Sequence, residues 1–452
     1  VNTDPERSVK YADLQVPGDV TWIARTLDRA GFAAWAVGGG VRDALTGGAP
    51  DDWDLTTSAR PADVQRLFRR TAAIGVDYGT VGVIAKGGMY EVTTFRRDVE
   101  TFGRRARVVF SDSLEEDLQR RDFTINAIAW SPITKEVRDP HGGLRDLAAG
   151  ILRTVGVADD RFEEDRLRVL RALRFAGRFG LEIEESTWTA IVASADKLGA
   201  LSAERVRDEL LKVLASPGRP SRALDLYAGS GVLEAMYPEL AKLCPSSSGG
   251  AGASRWRFLM AAVDARSARR PLVRLALLLH SLGDGGEEGR APPASAPATA
   301  ARSAALARSV LQRLRMPNSD VDTVTHLVAQ QGPSPDPNAG EPYLRRWIRR
   351  IGPEHLNDLF RVWIALERAS GSSPDRVAHL RRLRSRASKV IRSAVPLTIS
   401  QLAVSGEDLL ALRIPPGPVY GDILRDLLEQ VTDDPSLNEK EVLLGLVRSR
   451  IS

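Results

Sequence analysis

Residues 37–57 read VGGGVRDALTGGAPDDWDLTT. Working outward from this stretch sets the fold of the N-terminal part. Ala34–Val37 is a short apolar strand, preceded by an amphipathic helix over 19–30. It runs into Gly38-Gly39-Gly40, whose missing side chains let backbone amides approach phosphate oxygens. Arg42 and Asp43 follow at the start of a helix, a position suited to anions. Asp51-Asp52-Trp53-Asp54 then enters a second strand that Leu55 and Thr56 close. Alternate residues of a strand share a face, so Asp52 and Asp54 stand side by side. Adjacent carboxylates repel, and the natural remedy is Mg²⁺, a hard cation that takes oxygen ligands and substrate phosphates.

A further helix fits Pro61–Arg70, and strand-like alternation returns at 80–86 and 89–95. Residues 1–140 thus read as one α/β domain. Glu91, between the apolar Tyr90 and Val92, is the candidate for a third metal-binding carboxylate from a neighbouring strand; its ordinary alternative is an exposed strand glutamate. In SLEEDLQRRDFTINAIAW (113–130), Arg121 can grip phosphate, Asp122 can accept a bond from a ribose hydroxyl, and Asn126 completes the set. Helix capping is the plain alternative for this segment. DPHGGLRDL (139–147) reads as an interdomain hinge. From Ile151 the pattern is nearly all helical. RFEEDRLRVLRALRFAGRFG (161–180) reads as one helix capped by Gly180, on which Asp165 and Arg168 share a face and Arg168, Arg171 and Arg174 recur at three-residue spacing. Alone, that segment is an i,i+3 ion pair on a solvated helix. Two stretches, 245–254 and 283–300, have linker composition.

The chain has 452 residues, enough for about three domains. A single Cys244 excludes an internal disulfide or a cysteine zinc cluster. No apolar run approaches the ~18 residues of a membrane span, and the N-terminus lacks a signal-like apolar stretch; the expectation is a soluble cytoplasmic protein. The net charge of +5 hides an uneven distribution, because residues 341–400 carry 13 Lys and Arg against 5 Asp and Glu. Such a surplus suits a phosphate-rich partner, and Arg345, Arg346, Arg349 and Arg350 are the candidates for RNA contact. The alternative is that these arginines lie on solvated helix faces or pair internally. No GxxxxGK[ST] occurs, which disfavours a P-loop ATPase or kinase.

A strand–glycine–helix unit followed about a dozen residues later by DxD resembles the nucleotidyltransferase superfamily related to polymerase beta. There, two metals activate a terminal hydroxyl and stabilise the leaving pyrophosphate. The ordered set GGGVRD, DWD, RRDFTINA, DPHGG and EDRLR resembles, more narrowly, the class II tRNA nucleotidyltransferase and bacterial poly(A) polymerase family. Similarity runs from about 31 to 237, through LSAERVRDELLKVL (201–214), resumes weakly around 305–365, and strengthens at PLTISQLAVSGEDLLALRIPPGPVYGDIL (396–424), which looks like the tail of bacterial CCA-adding enzymes.

The resemblance implies a polymerase-beta-like α/β head (1–140), a helical neck (141–215), a helical body (216–395) and a helical, tRNA-binding tail (396–452). It implies transfer of a nucleoside monophosphate from CTP or ATP to the 3′ end of tRNA. By motif position Asp52 and Asp54 hold the metals; Gly39, Arg42 and Arg121 hold the triphosphate; Asp122 reads the ribose, with Asn126 beside it; Asp165 and Arg168 face the base; Arg171 and Arg174 support that helix or contact phosphates. Two positions depart from the family. In LALLLHSLGD, His280 is present but Ser281 replaces an expected Asp, the downstream stretch THLVAQQ offers only His326, and Asp284 is poorly placed; a working metal phosphohydrolase is not expected there. Arg413 stands where the tail motif usually has Gly. The family's flexible loop, which helps switch from C to A addition, falls on RDVETFGRRARVVF (97–110), where its Tyr-x-Asp character is altered. Its intact length speaks against CC addition alone, and the strand pair over 80–98 reads more like CCA-adding enzymes. Full CCA addition is the favoured activity, with CC addition, A addition and polyadenylation as rivals. A catalytically inactive RNA-binding protein is the remote alternative, disfavoured by the intact DxD pair.

Overall fold

The computed structural model describes residues 9–10, 14–50, 52–102, 105–244, 251–265, 270–283, 297–371, 373–393 and 395–451. Asp51, Asp284 and most of both linker-like stretches lie outside the described residues. The chain forms two compact units, Val1–Val213 with Arg222–Tyr237, and Leu214–Ser221 with Pro238–Ser452.

The first unit is built on a mixed sheet. Its strands are β1 (Val9–Lys10), β2 (Ala34–Val37), β3 (Asp54–Thr57), β4 (Thr71–Gly75), β5 (Thr80–Ala85) and β6 (Gly88–Thr94). After a separate hairpin of β7 (Arg96–Phe102) and β8 (Arg105–Phe110), β9 (Ala129–Trp130) and β10 (Glu136–Arg138) rejoin it. The order is β1-β10-β9-β2-β3-β6-β5-β4. β3 and β6 run parallel with Leu55 opposite Val92, so Asp54 and Glu91 are neighbours at the start of that pairing. Helix α1 (Gly18–Arg29) buries Val20, Ile23, Ala24 and Leu27 at helical spacing, and this stripe joins Leu55, Val81, Val83, Val92 and Trp130 in one core.

Helices α2 (Gly39–Leu45) and α3 (Pro61–Leu67) flank that core. The helix expected to reach Arg70 stops at Leu67, because Phe68 turns extended, is only 3% exposed and packs edge-on against Trp22. After α4 (Leu114–Gln119), the hinge expected at DPHGG is a fixed joint at the start of α5 (Gly143–Ala149). Asp139 accepts bonds from the Gly143 and Leu144 amides at 2.7 and 2.9 Å. A Cβ on Gly143 would stand 2.1 Å from the Thr124 carbonyl oxygen, so glycine serves close packing there rather than flexibility.

The single helix expected over 161–180 is two, α6 (Ala158–Glu164) and α7 (Leu167–Phe179). Asp165 between them is extended, at φ −152° and ψ 102°. Its carboxylate accepts from the Leu167 amide at 3.1 Å, which starts α7 afresh. Gly180 ends α7 in the left-handed region, as the sequence suggests. Gly177 lets α7 approach the chain at Ala223, where a Cβ would meet backbone at 2.5 Å. Beyond lie α8 (Glu185–Ser194) and α9 (Ala203–Leu214).

Among its described residues the second unit is helical. The apolar run of the helix Pro271–Leu279 is core, with Val273–Leu279 all buried. No described helix is long and apolar enough to cross a membrane. His280, next to that run, is buried, with Nδ1 2.6 Å from the Leu277 carbonyl, and burial pushes its pKa down to about 4, so it is neutral. Arg413, the departure from the family's glycine, has φ +61°. Its amide bonds to the Leu410 carbonyl and that of Ile414 to the Leu409 carbonyl, the Schellman pattern in which glycine suits the left-handed position. Arg413→Gly is therefore expected to stabilise the protein by about 1 kcal/mol, read as a raised denaturation midpoint; a lowered midpoint would contradict this account.

Candidate active site

The end of β2, the first turn of α2 and the start of β3 converge on one point. Trp53 is 1% exposed and points into the core, so Asp52 and Asp54 flank it on the opposite side, although the strand itself begins only at Asp54. Gly38 has φ +74°, and a Cβ there would sit 3.3 Å from Arg121 Nη1 and 3.5 Å from Asp54 Oδ2. A Cβ on Gly40 would collide with the Asp52 carbonyl oxygen at 2.7 Å. Gly38 is thus required by its left-handed backbone and Gly40 by close approach; at Gly39 only the tip of Arg42 is near, at 3.5 Å.

Burial, reinforced by the charges of Asp52 and Glu91, pushes the Asp54 carboxyl up to about 6, against the opposing pull of Arg121. Sequence reasoning left Glu91 open; the sheet register puts it within electrostatic reach of Asp54. No three His, Cys, Asp or Glu side chains among the described residues close round an ion by themselves. Mg²⁺ does not require that, since one or two carboxylates plus substrate phosphates and water suffice. Asp54, its carboxyl raised by burial and by the neighbouring charges of Asp52 and Glu91, fits such an ion.

Arg121 is set by partners that the sequence did not reveal. Asp117, buried on α4, accepts from its Nη2 at 3.3 Å, and the Asn126 carbonyl accepts from its Nη1 at 3.3 Å. Thr56 Oγ of β3 donates to the same Asp117 oxygen at 3.2 Å. One buried carboxylate therefore ties the arginine to the strand that carries Asp54. Asp117 escaped notice because an acidic residue in LEEDLQ is indistinguishable, by type, from its exposed neighbours.

A second chain of bonds runs from α2 to α7. Arg42, 4% exposed, spends Nε and Nη2 on Asp43 and donates from Nη1 to Asn126 Oδ1 at 2.6 Å; its guanidinium lies 4.3 Å from the Phe179 ring centroid. Asn126 in turn donates to Asp122 at 3.0 Å. Asp122 also accepts from the Phe123 amide and twice from Arg171, at 2.8 and 2.6 Å. Burial alone would raise the Asp122 carboxyl, but Arg171 and Asn126 outweigh it and hold it below the usual range. Two expectations change. Arg42 is a buried strut rather than an open phosphate ligand, and Asp122 already has four donors, one of which a ribose hydroxyl would have to replace.

Further along, Asp165 and Arg168 do not pair across one helix face. Asp165 takes Arg205 of α9 at 2.6 Å, while Arg168 is bound by Glu164 and donates to the Arg120 carbonyl at 3.2 Å. Arg174, expected to support this helix or contact phosphates, is buried against Glu209 at 2.6 Å. Arg345, expected to meet RNA, is 7% exposed and donates to the Thr432 and Asp433 carbonyls at 2.7 and 3.0 Å. It caps the C-terminus of the helix Pro418–Asp433, a favourable place for a cation. Arg346 pairs with Asp433, Arg349 reaches the Thr432 hydroxyl at 3.4 Å, and Arg350 is exposed.

The family described as Poly A polymerase head domain matches residues 34–153, and that described as probable RNA and SrmB-binding site of polymerase A matches 180–244. The CCA-adding enzyme of Geobacillus kaustophilus (strain HTA426) is 35% identical over 432 residues, 95% of this chain and 96% of that protein. The chain belongs to the CCA-adding enzyme family. The enzyme of Enterococcus faecalis is 31% identical over 435 residues, with 95% of each chain covered. The crystal structure of the Bacillus stearothermophilus CCA-adding enzyme in complex with CTP matches with a TM-score of 0.72 at 32% identity, covering 96% of this chain and 98% of that one. A Thermotoga maritima enzyme complexed with tRNA shares the fold at 19% identity and a TM-score of 0.54. Within this family, the nucleotidyltransferase head corresponds to the sheet and glycine turn described above.

Proposed function

We propose that this protein adds C and A nucleotides to the 3′ end of tRNA from CTP and ATP, releasing pyrophosphate and using no nucleic-acid template. The observation that carries the reading is the crowding of Asp52, Asp54 and Glu91 beside Gly38 and Arg121, in a chain whose relatives are CCA-adding enzymes over their full length. Asp52 and Asp54 would hold Mg²⁺, with Glu91 beside them. When bound, the ion supplies activation of the terminal hydroxyl and neutralisation of the leaving pyrophosphate. The Gly39 amide and Arg121 hold the triphosphate, and Arg42, Asn126, Asp122 and Arg171 brace the site from behind. The boundaries 1–140, 141–215, 216–395 and 396–452 remain our division into head, neck, body and tail.

The decisive experiment offers tRNAs ending at the discriminator base, at C and at CC, with CTP and ATP separately and together, and sequences the 3′ ends. Completion of all three to CCA is the expected result. Stalling at CC, or action only on the CC-ended substrate, would replace it with partial addition; a long A tail would indicate polyadenylation. Full addition is favoured because the segment 97–110 keeps its length and is paired as β7 and β8.

Base choice follows from hydrogen-bond polarity. Cytosine and adenine each present an amino donor beside a ring-nitrogen acceptor. A carboxylate accepts from the first and a guanidinium donates to the second, so Asp165 and Arg168 can read both. Uracil and guanine reverse that order, leaving polar groups opposed at roughly 1–3 kcal/mol each. In the free protein Asp165 is held by Arg205 and Arg168 by Glu164, so both are pre-oriented from separate elements. Asp165→Ala and Arg168→Ala should each lower CTP and ATP use about 10- to 100-fold and narrow their advantage over UTP and GTP. Single-nucleotide incorporation with all four triphosphates measures this. Unaltered discrimination in both variants would leave the two residues a structural role only.

A further inference from the structure

We infer that the exposed face of the helix Pro374–Arg392, formed by Arg381, Arg382, Arg384, Lys389 and Arg392, is a docking surface for the phosphate backbone of RNA. The inference rests on the proposed tRNA substrate and moves its contact away from Arg345 and its neighbours.

From Arg376 to Gly406 the chain has no Asp or Glu over 31 residues, whereas the overall 58 acidic residues in 452 would place about four there. The helix has two distinct sides. Leu380, Leu383, Ala387 and Val390 are buried. At 100° per residue, Arg381, Ser385, Lys389 and Arg392 fall on the opposite side, with Arg382 and Arg384 on its two flanks. All five cations are exposed. Two other arginines of the helix are occupied, Arg376 by Glu367 at 3.1 Å and Arg386 by the Pro337 carbonyl. The five side chains make no ion pair or hydrogen bond with any described residue.

That arrangement is costly to the helix. Arg381 with Arg384, and Lys389 with Arg392, are like charges at i,i+3, which weaken a helix by a few tenths of a kcal/mol per pair. Elsewhere in this unit the chain relieves such charge with nearby acids, as at Arg361–Asp358 and Arg425–Asp422; here no described residue supplies one. Four of the five are arginines, whose planar forks match phosphate geometry. From Arg381 to Arg392 the face is about 16 Å long, room for several phosphates. An acidic protein would satisfy the same charge, but the arginine fork and a nucleic-acid substrate favour RNA.

The test uses the full chain carrying R381Q/R382Q/R384Q/K389Q/R392Q and fluorescently labelled tRNA lacking its terminal CCA. Binding is titrated from about 50 to about 300 mM KCl. The expected result is a Kd raised at least ~10-fold at the lowest salt, and a salt slope reduced by about 0.7–0.9 for each phosphate no longer neutralised. The KM for CTP on saturating tRNA should stay as in the wild type, and the thermal midpoint should not fall, since the like-charge pairs at i,i+3 are relieved. An unchanged Kd and slope would overturn the inference, including the case where binding to polyglutamate is lost instead, which would assign the face to an acidic protein. The two readings separate cleanly. A wild type that does not extend tRNA refutes the proposed function; a wild type that extends it beside a variant that binds it equally refutes only the docking surface.

Discussion

Asp52→Ala and Asp54→Asn are each expected to lower nucleotide transfer at least ~10³-fold, about 4 kcal/mol of transition-state stabilisation. Neither should unfold the protein, because each removes one of a set of carboxylates that repel each other. Asp54 adds a pH signature. Its carboxyl is raised from 3.8 to about 6 by burial and by Asp52 and Glu91. A carboxyl raised on folding contributes stability that is fully present below its unfolded pKa and is lost as pH rises through the folded one. The metal-free wild type should therefore lose stability between about pH 4 and pH 6, and Asp54→Asn should not. Since Mg²⁺ competes with that proton, its affinity should climb as pH rises through the same window. Thermal scans in chelator and Mg²⁺ titrations across the window measure both effects. Wild-type turnover in either variant would remove these residues from catalysis.

The second large effect is on folding. Arg174 and Glu209 meet at 2.6 Å, with side chains only 7% and 1% exposed. Burial raises the Glu209 carboxyl, but Arg174 and Lys212 more than compensate and hold it low. Removing one partner strands the other's charge, at a cost of roughly 3–5 kcal/mol. Arg174→Ala or Glu209→Ala should thus unfold at much lower denaturant. Joint replacement by leucine should recover much of the loss, since a buried pair is often worth no more than packed hydrocarbon. The acid side is equally specific: a depressed carboxyl gives stability that is present above its unfolded pKa and lost as pH falls through the folded one. An Arg174→Ala variant with wild-type stability and lost CTP affinity would return Arg174 to the nucleotide site.

What could be read from residue order was the sheet and the glycine turn, because both depend on short-range patterns. β2 spans the predicted residues, and the Asp52-Trp53-Asp54 alternation survives although the strand starts later. The division at Asp165 was hidden, since 161–180 keeps a helical period on both sides of it and only the side-chain cap on Leu167 shows the restart. Partner choice was hidden too. Sequence identifies a guanidinium, but not whether it meets a phosphate, a buried carboxylate as Arg174 does, or two carbonyls as Arg345 does. Such pairings form between residues 35 to 88 positions apart, beyond any local pattern. Arg413 is the reverse case: the family's glycine made sense once its left-handed backbone was seen.

The path of the chain bears on how the protein is made. It leaves the first unit after Val213 and returns for Arg222–Tyr237. The returning piece is structural: Ala223 fills the space left at Gly177, and buried Tyr237 stacks on buried Tyr227 with centroids 6.5 Å apart. During vectorial synthesis, a nascent chain that has emerged only as far as Val213 cannot finish this packing. The catalytic half must wait, incompletely closed, until Tyr237 clears the ribosome, and a fragment cut at the end of α9 would carry that same open seam permanently.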